Sequence, residues 1–338
     1  MKEDSIRTIK PLGFQWETNN PFIFCVHHKD AYPMGNEEMG PDASLEGRSI
    51  GHDFVPKDGW RMYHGDKIPG FPVHPHRGFE TITIVLEGMV DHADSLGAAG
   101  RYGMGDVQWM TAGAGIQHTE MFPLLYSDKK NPLELFQIWL NLPAVDKFVD
   151  PYYTMLWSED IPIVTFLDSA GKCTDVTLIA GKLNGNKAPA PPPDSRAARP
   201  EGDVAIMIIR MEPGAEYILP HASRGTIRSL YFYRGDELTV DQTIIPSYQA
   251  VHMERASRIH LQNGMEESFI LLLQGRPIEE TVIQYGPFVM NSKEEIQDAF
   301  EDFRRTQFGG WPWPRPDQVH DRGRGRFAKY ADGREETR

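Results

Sequence analysis

The amino-acid sequence predicts an all-β protein. Its 338 residues include 31 glycines and 26 prolines, and this density of turn formers favours many short strands over long helices. Segments rich in β-branched and aromatic residues recur along both halves, and most are bounded by glycine or proline. The alternation of strands and helices that is typical of a parallel, doubly wound sheet is not visible.

The first half of the chain is predicted to form short strands separated by turns. Thr81 and Thr83 alternate with isoleucines along the strongest of these segments, which Gly88 ends. The stretch 30–70 is polar and rich in glycine, proline, aspartate and methionine, so we expect a long loop there. The predicted strands are PFIFCVHH (21–28), ETITIVLEG (80–88), DVQWMTAG (106–113) and LELFQIWLNLP (133–143).

A second series of strands is predicted after residue 160. The segment KAPAPPPDSRAARPEG (187–202) interrupts this series, and its prolines cannot donate ladder hydrogen bonds. We therefore expect an exposed loop at that place. The predicted strands lie at 161–171, 176–185, 203–214, 227–235 and 268–277.

Residues 292–310 have the pattern of an amphipathic helix. Ser292 and Glu295 have the spacing of a capping box, and apolar residues then recur at intervals of three and four. Beyond Trp311 the chain is rich in proline, glycine and charge, so this tail cannot bury much surface by itself. We expect that the tail either wraps over the body of the protein or is mobile.

An internal repeat indicates two similar halves. HPHRGFETITIVLEG (74–88) aligns without gaps with HASRGTIRSLYFYRG (221–235), and the identical positions are turn or polar residues. His76 aligns with Ser223, so the second copy lacks one histidine of the first. The repeat and the chain length together predict two domains.

Composition argues against several classes of function. The formal net charge of −13 disfavours direct binding to nucleic acid or to an anionic membrane. The sequence has neither an apolar run of the roughly 20 residues that a membrane span needs nor the apolar start of a signal peptide. Cys25 and Cys173 lack a CxxC spacing, so we expect two reduced thiols in a cytoplasmic protein.

Two pairs of side chains have the spacing of metal ligands. His74 and His76 form an H-x-H pair, and His118 and Glu120 form an H-x-E pair. Residues i and i+2 of a strand point to the same face, so two such strands facing one another in a barrel would present four ligands. Imidazole with carboxylate suits iron, manganese, nickel, copper or zinc. Four protein ligands on an octahedral ion leave two positions open for substrate and O2 or water.

The segments around these pairs resemble the signature of the pirin family of bicupins. The segments are GFPVHPHRGFETITIVLEG, HADSLG and GDVQWMTAGAGIQHTEM. The resemblance implies two antiparallel β-barrels face to face, with a short C-terminal helix. It also implies a metal-binding barrel in residues 1–150 and a barrel without metal in residues 151–338, which include the helix and the tail.

The resemblance further implies a ligand set and an ion. The family's metal ligands correspond to His74, His76, His118 and Glu120, and Fe(II) is the ion expected. The stretch 30–70 and the tail after Trp311 are longer than the family's usual path. Both could lie over the mouth of the metal cavity, with the loop acting as a lid.

Other candidate ligands have weaker patterns. His92 and Asp94 share one face of a strand, but Asp94 begins a turn, which favours a turn-stabilising role over ligation. His252 and Glu254 repeat the H-x-E spacing in the second half, without an H-x-H partner. This absence disfavours a second metal site.

The remaining histidines and the tryptophans have structural interpretations. His27, His28 and His64 lack a partner at a telling distance, and we expect surface or loop positions for them. His64 lies in the long loop and could approach the metal site. Trp109 is predicted to pack in the core, and the two tail tryptophans are predicted to anchor the tail.

The resemblance to pirins implies a dioxygenase. Pirin relatives show quercetinase-type activity, in which a flavonol ring is opened with O2. On this hypothesis the substrate is a planar phenolic, the ion acts as a Lewis acid, and Glu120 both binds the ion and accepts the substrate's proton.

Two alternatives remain open at this point. Some pirins act as regulatory partners, so the chain could be a non-catalytic, redox- or metal-responsive protein that binds another protein. The net charge of −13 would suit a basic partner. A different reaction at zinc or manganese, such as isomerisation or hydrolysis, is the other alternative, because a fold does not determine a function.

Overall fold

Strands dominate the architecture, which confirms the all-β prediction. The computed structural model describes residues 6–253 and 257–338. Within these residues the one α-helix is α1 (Lys293–Thr306), and Ser292 and Glu295 form the predicted capping box at its start. No helix in the described part of the chain has the length and apolarity that crossing a membrane requires.

The predicted strands of the first half are present, together with several shorter ones. The strands up to the proline-rich loop are β1 (Ile6–Pro11), β2 (Phe22–Tyr32), β3 (Gly70–His76), β4 (Phe79–Glu87), β5 (Met89–Asp94), β6 (Ala99–Gly103), β7 (Val107–Thr111), β8 (Ile116–Met121), β9 (Asn131–Asn141), β10 (Tyr152–Leu156), β11 (Ile163–Leu167), β12 (Cys173–Ala180), β13 (Lys182–Leu183) and β14 (Asn186–Lys187).

The predicted strands of the second half are also present, and two further strands lie in the tail. They are β15 (Ala205–Met211), β16 (Glu216–Leu219), β17 (Ile227–Arg234), β18 (Glu237–Val240), β19 (Thr243–Pro246), β20 (Gln249–Met253), β21 (Ile259–Asn263), β22 (Ser268–Gly275), β23 (Ile283–Tyr285), β24 (Phe288–Met290), β25 (Phe327–Lys329) and β26 (Glu335–Thr337). Short 3-10 helices lie at Ala144–Asp146, Arg196–Ala198, Pro200–Gly202 and Gln307–Gly309.

The described residues form two compact units, and each unit combines segments from separate parts of the chain. The first unit comprises residues 27–137, 142–158 and 280–338, and the second comprises the described residues up to 26 together with 138–141 and 159–279. A division at residue 150 was expected, with the helix and the tail in the second domain. In the structure, α1 and the tail instead lie in the first unit.

Packing explains why the C-terminal segments join the first unit. Ile296 and Ala299 of α1 are buried in a cluster with Phe288 and Met290 of β24. The tail strand β25 pairs with β6, so the tail extends a sheet of the first unit. Of the two expectations for the tail, wrapping over the body is therefore the one that the structure confirms.

Two sheets build the first unit. The six-stranded sheet has the order β26-β25-β6-β5-β8-β3, and the five-stranded sheet has the order β10-β7-β4-β9-β2. Their inner faces share one buried apolar cluster, to which Val90 and Tyr102 contribute from the six-stranded sheet and Val85 and Leu135 from the five-stranded sheet. Strands β3 and β8, which carry the predicted ligands, are neighbours at one edge of the six-stranded sheet.

The second unit repeats this arrangement. A seven-stranded sheet, β1-β20-β17-β22-β15-β12-β11, and a four-stranded sheet, β16-β21-β18-β19, pack around a common apolar core. In both units the sheets are separate and open, as in a cupin jelly roll, so the expectation of closed barrels needs this correction. The reason is that the buried side chains of each unit fill the space between two facing sheets.

A tight turn places the histidine strand against the rest of the first unit. Gly78, between β3 and β4, has φ +85°, and a Cβ atom there would lie 2.1 Å from the carbonyl oxygen of Val289. Only glycine tolerates both conditions. The ammonium group of Lys147 donates to the carbonyl oxygens of Gly78 and Val289 at 2.8 Å and 3.0 Å, which ties this turn to β24.

Candidate metal centre

Strands β3 and β8 bring the two predicted ligand pairs together. They are antiparallel neighbours, and His74 lies directly opposite His118 in the ladder. One ligand atom from each of His74, His76 and His118 lies within 4.8 Å of the others. The two pairs therefore lie side by side on neighbouring strands of one sheet. The expectation that they would lie on strands facing each other across a barrel was wrong.

Glu120, the fourth predicted ligand, lies near His118 but outside the group of three imidazoles whose ligand atoms are within 4.8 Å of one another. Its Oε2 atom is 4.0 Å from Nε2 of His118. Thr83 of β4 donates to Oε1 at 2.7 Å, and the side-chain amide of Gln137 on β9 donates to Oε2 at 3.0 Å. Burial raises the pKa of Glu120, and the hydrogen bond from Thr83 opposes this effect. The opposite sheet thus holds the carboxyl group in place next to the histidines.

A hydrogen bond fixes the tautomer of His74, whereas the ring of His118 has no hydrogen-bond partner among the described residues. Nδ1 of His74 lies 2.8 Å from the carbonyl oxygen of Pro72 and must donate to it, so Nε2 keeps a lone pair. Both ring nitrogens of His118 are buried without a hydrogen-bond partner among the described residues. A buried polar atom normally has a partner. An ion between the imidazoles would provide one, so the residues present fit a metal.

Burial also sets the protonation state of the three histidines. It lowers the pKa of His74 to about 4 and the pKa values of His76 and His118 well below the usual 6.5. All three imidazoles are therefore neutral at neutral pH. The neutral imidazole is the form that binds a metal ion, so the site needs no proton release from these side chains before binding.

His92 and Asp94 lie next to the centre and contact each other, while Nδ1 of His92 is buried without a hydrogen-bond partner among the described residues. The His92 ring is 5.6 Å from the His118 ring and stacks on Tyr153 at 4.8 Å. Its Nε2 lies 3.3 Å from Oδ2 of Asp94. Oδ1 of Asp94 accepts hydrogen bonds from the backbone N–H groups of Leu96 and Ala98, each at 2.9 Å. The turn-stabilising role predicted for Asp94 is what the structure shows.

The other predicted residues divide into confirmed and corrected positions. His27 and His28 were expected at the surface or in a loop, but both lie in β2, and His28 is buried. Both lie within the strand predicted at 21–28, and the His28 side chain is directed inward, where its Nδ1 is 2.8 Å from the Tyr63 hydroxyl oxygen. Trp109 packs in the core as expected, where its Nε1 donates to Glu80 at 2.7 Å. Trp313 anchors the tail by donating to the carbonyl oxygen of Asp94 at 2.7 Å.

The second unit carries a different polar cluster. Nδ1 of His252 lies 2.9 Å from Oγ of Ser229 and 2.7 Å from Nδ2 of Asn19. Glu254, the other member of the H-x-E pattern, lies outside the described residues. Within residues 6–253 and 257–338, the three imidazoles of the first unit are the one group of three ligand-type side chains near enough to share an ion.

Thr83 and Gln137 are site residues that sequence reasoning did not select. Both belong to predicted strands, and Thr83 was noted only for its alternation with isoleucine. Their contact with Glu120 depends on how β4 and β9 pack over β8. Strand periodicity indicates which face a side chain occupies, but it does not show what that face packs against.

A separate cavity lies elsewhere in the first unit. Its volume is about 290 Å3, and none of the three histidines lines it. The apolar side chains of Tyr32, Met89, Phe122 and Leu124 form much of its wall, and Lys129 lies among the lining residues. The metal centre is therefore distinct from this cavity.

Comparisons with known proteins agree with the fold. The family model described as Pirin matches residues 7–140, and the one described as Pirin C-terminal cupin domain matches residues 206–309. A solved structure of quercetin 2,3-dioxygenase from Acinetobacter baumannii is 26% identical, with a TM-score of 0.68. The match covers 90% of this chain and 98% of that one.

Curated relatives match most of their own length. Human pirin is 35% identical over 253 residues, which are 73% of this chain and 80% of that protein. A Pseudomonas aeruginosa protein with the name "Putative quercetin 2,3-dioxygenase" is 38% identical over 240 residues, which are 71% of this chain and 79% of that protein. The family models and these relatives agree, and the chain belongs to the pirins.

Proposed function

We propose that the chain is a metal-dependent dioxygenase that opens the ring of a flavonol or a similar planar phenolic with O2. The observation that carries the proposal is the convergence of three neutral imidazoles with a buried carboxyl group beside them. The names of the relatives from Pseudomonas aeruginosa and Acinetobacter baumannii support this reaction class.

The proposed ligands of one divalent ion are His74, His76, His118 and Glu120, and the proposed ion is Fe(II). Manganese, nickel, copper and zinc also suit nitrogen and oxygen donors. When bound, such an ion supplies the Lewis acidity that lowers the pKa of a phenolic or enolic hydroxyl group.

The side chains of this protein orient the reaction and hold a proton. The carbonyl group of Pro72 fixes the ring of His74, and Thr83 with Gln137 fixes the carboxyl group of Glu120. Glu120 is the proposed catalytic residue, which accepts the proton of the substrate hydroxyl on a carboxyl oxygen.

Anaerobic loading with Fe(II), followed by quercetin and O2, tests the proposal. We expect O2 uptake, ring-opened product and CO. The variant His118→Ala should lower kcat/KM by about 100-fold or more, because the site loses a central ligand. The variant His260→Ala removes an exposed imidazole of the second unit and should stay within about twofold of the wild type.

Other results of the same experiments would reject the dioxygenase proposal. Absence of turnover with the iron, manganese, nickel and copper forms alike would reject the dioxygenase. Capture of a protein partner that depends on the oxidation state of the ion, without O2 uptake on any phenolic, would then favour the regulatory alternative.

A further inference from the structure

The connection between β2 and β3, residues 33–69, is an ordered part of the first unit that side-chain hydrogen bonds hold together. The Arg48 guanidinium lies 3.3 Å from the centre of the Trp60 ring and donates to Oδ2 of Asp53 at 3.1 Å. It also donates to the carbonyl oxygens of Trp60 and Lys57, at 2.9 Å and 2.7 Å. Oδ2 of Asp53 accepts a further hydrogen bond from the backbone of Met62. These bonds hold the connection in one conformation.

The backbone just before His64 is held in an unusual conformation. Tyr63 has φ +57°, a left-handed value that a bulky residue adopts only when its surroundings enforce it. Two backbone hydrogen bonds with Asp53, at 2.8 Å and 3.0 Å, supply part of that constraint. The Tyr63 hydroxyl also donates to Oδ2 of the buried Asp30 at 2.6 Å, which holds the side chain in place. The backbone position of His64, the next residue, is therefore fixed.

The His64 ring belongs to a row of rings that ends at the metal centre. It contacts Phe54 and Phe71 edge-on, with ring centres 5.0 Å and 5.7 Å away. Phe71 in turn lies 6.4 Å from the ring of His74. His64 is exposed, whereas Phe54, Phe71 and His74 are half-buried. Each ring of the row is therefore at least partly accessible to solvent.

One nitrogen of His64 is left to accept a hydrogen bond from a ligand. Nδ1 lies 2.7 Å from the carbonyl oxygen of Gly51, to which it must donate. The proton is thus on Nδ1, and Nε2 carries the lone pair. None of the described residues donates a hydrogen bond to Nε2.

We propose that His64 is a specificity-determining residue, which accepts a hydrogen bond on Nε2 from a hydroxyl group at the far end of a planar, multi-ring phenolic substrate. This inference rests on the proposed function, because the near end of the substrate reaches the ion held beside His74. Phe54 and Phe71 offer apolar ring edges to the part between the two ends. The ring-to-ring steps of 5.7 Å and 6.4 Å match a molecule of at least two fused or linked rings and not a single phenol.

Binding to the zinc-loaded protein tests this role without turnover. The ligands are quercetin and 3-hydroxyflavone, which share the metal-binding enol but differ in the distal hydroxyl groups. We expect His64→Ala to weaken quercetin binding by about tenfold, the usual effect of one lost hydrogen bond, and to leave 3-hydroxyflavone within about twofold. The variant His64→Gln keeps an acceptor and should recover part of the loss for quercetin.

Matched measurements separate the possible outcomes. His260→Ala, which removes an exposed imidazole of the second unit, should leave both affinities unchanged. In the iron form, His64→Ala should raise KM for quercetin more than it lowers kcat. Equal weakening of both ligands, no weakening of either, or no quercetin binding to the wild-type zinc form would overturn the role of His64. Selective binding without turnover would instead contradict only the proposed dioxygenase.

Discussion

The chemistry of the metal centre depends on which atoms of its side chains are free to bind. Spacing along the sequence indicated the pairs His74/His76 and His118/Glu120, because alternate residues of a strand share a face, and the family resemblance favoured them over pairs with similar spacing. Spacing did not show that Pro72 would fix the tautomer of His74 or that Thr83 would hold Glu120. Those contacts arise between strands, or from the backbone path, and leave no periodic signal.

The variant Thr83→Val tests the positioning of Glu120. Valine keeps the shape of the side chain but removes the hydroxyl group that donates to Oε1 of Glu120 at 2.7 Å. We expect kcat for quercetin to fall about tenfold, while the metal content and the spectrum of a cobalt-loaded form show an intact histidine set.

Thr81→Val is the matched control for that variant. Thr81 is buried on the same strand, and its hydroxyl group has no hydrogen-bond partner among the described residues. Its kcat should therefore remain within about twofold of the wild type. Equal losses of activity in the two variants would show that the strand is disturbed and that the hydrogen bond to Glu120 has no special role.

Strands were predictable where hydrophobic residues dominate, and less so where buried polar residues do. The ETITIVLEG and SFILLLQGRP segments were selected and form β4 and β22. Strands β5 and β6 were not selected, because their buried polar residues, such as Asp91 and Arg101, do not show the usual alternation. The tail strand β25 was also missed, since it forms only by pairing with β6.

A buried charge pair orders the tail. Arg101 donates to both carboxyl oxygens of Asp91 at 2.7 Å, and its Nη1 donates to the carbonyl oxygens of Asp321 and Arg324. In the variant Arg101→Met, Asp91 loses its charge partner and the tail loses these donors. We expect the free energy of unfolding to fall by about 3 kcal/mol or more and the tail to become sensitive to protease.

The control for the tail is a helix arginine. Arg304→Met changes an exposed residue of α1 and should alter the free energy of unfolding by less than about 0.5 kcal/mol. A protease-resistant tail in the Arg101 variant, measured by limited proteolysis and mass spectrometry, would contradict this role.

Lys147 should give the protein a stability that increases in mildly alkaline solution. Burial lowers its pKa from 10.5 to about 8. Between these values the unfolded chain binds more protons than the folded one, so the contribution of Lys147 to stability rises as the pH increases from about 8 to 10.5. Denaturant titrations at pH 7, 9 and 10 should show this rise as a difference between the wild type and Lys147→Met, because burial raises the pKa of Cys25 and thereby gives both proteins an opposite alkaline trend.

The substitution Lys147→Met should also lower the free energy of unfolding at neutral pH. Lys147→Met leaves the carbonyl oxygens of Gly78 and Val289 without this donor, so we expect a net loss of about 1–3 kcal/mol at pH 7. Lys187→Met, at an exposed position, should follow the wild-type pH dependence. If Lys147→Met also follows the wild-type pH dependence of stability, the role assigned to Lys147 is wrong.

The whole chain combines a family framework with segments of its own. The family models match residues 7–140 and 206–309, so the tail from residue 310 lies beyond both matches. The repeat within the sequence indicated two similar halves, and both units contain paired sheets around a core. The exchange of terminal segments between the units was not predictable, because it depends on long-range pairing such as that of β1 with β20.

The metal content of the purified protein tests the central claim most directly. Elemental analysis of the wild type, without added metal, is predicted to find one divalent transition-metal ion per chain. Separate His74→Ala, His76→Ala and His118→Ala variants are predicted to lose it while their circular dichroism is unchanged. Wild-type metal content in all three variants would contradict the assignment of the ion to these histidines.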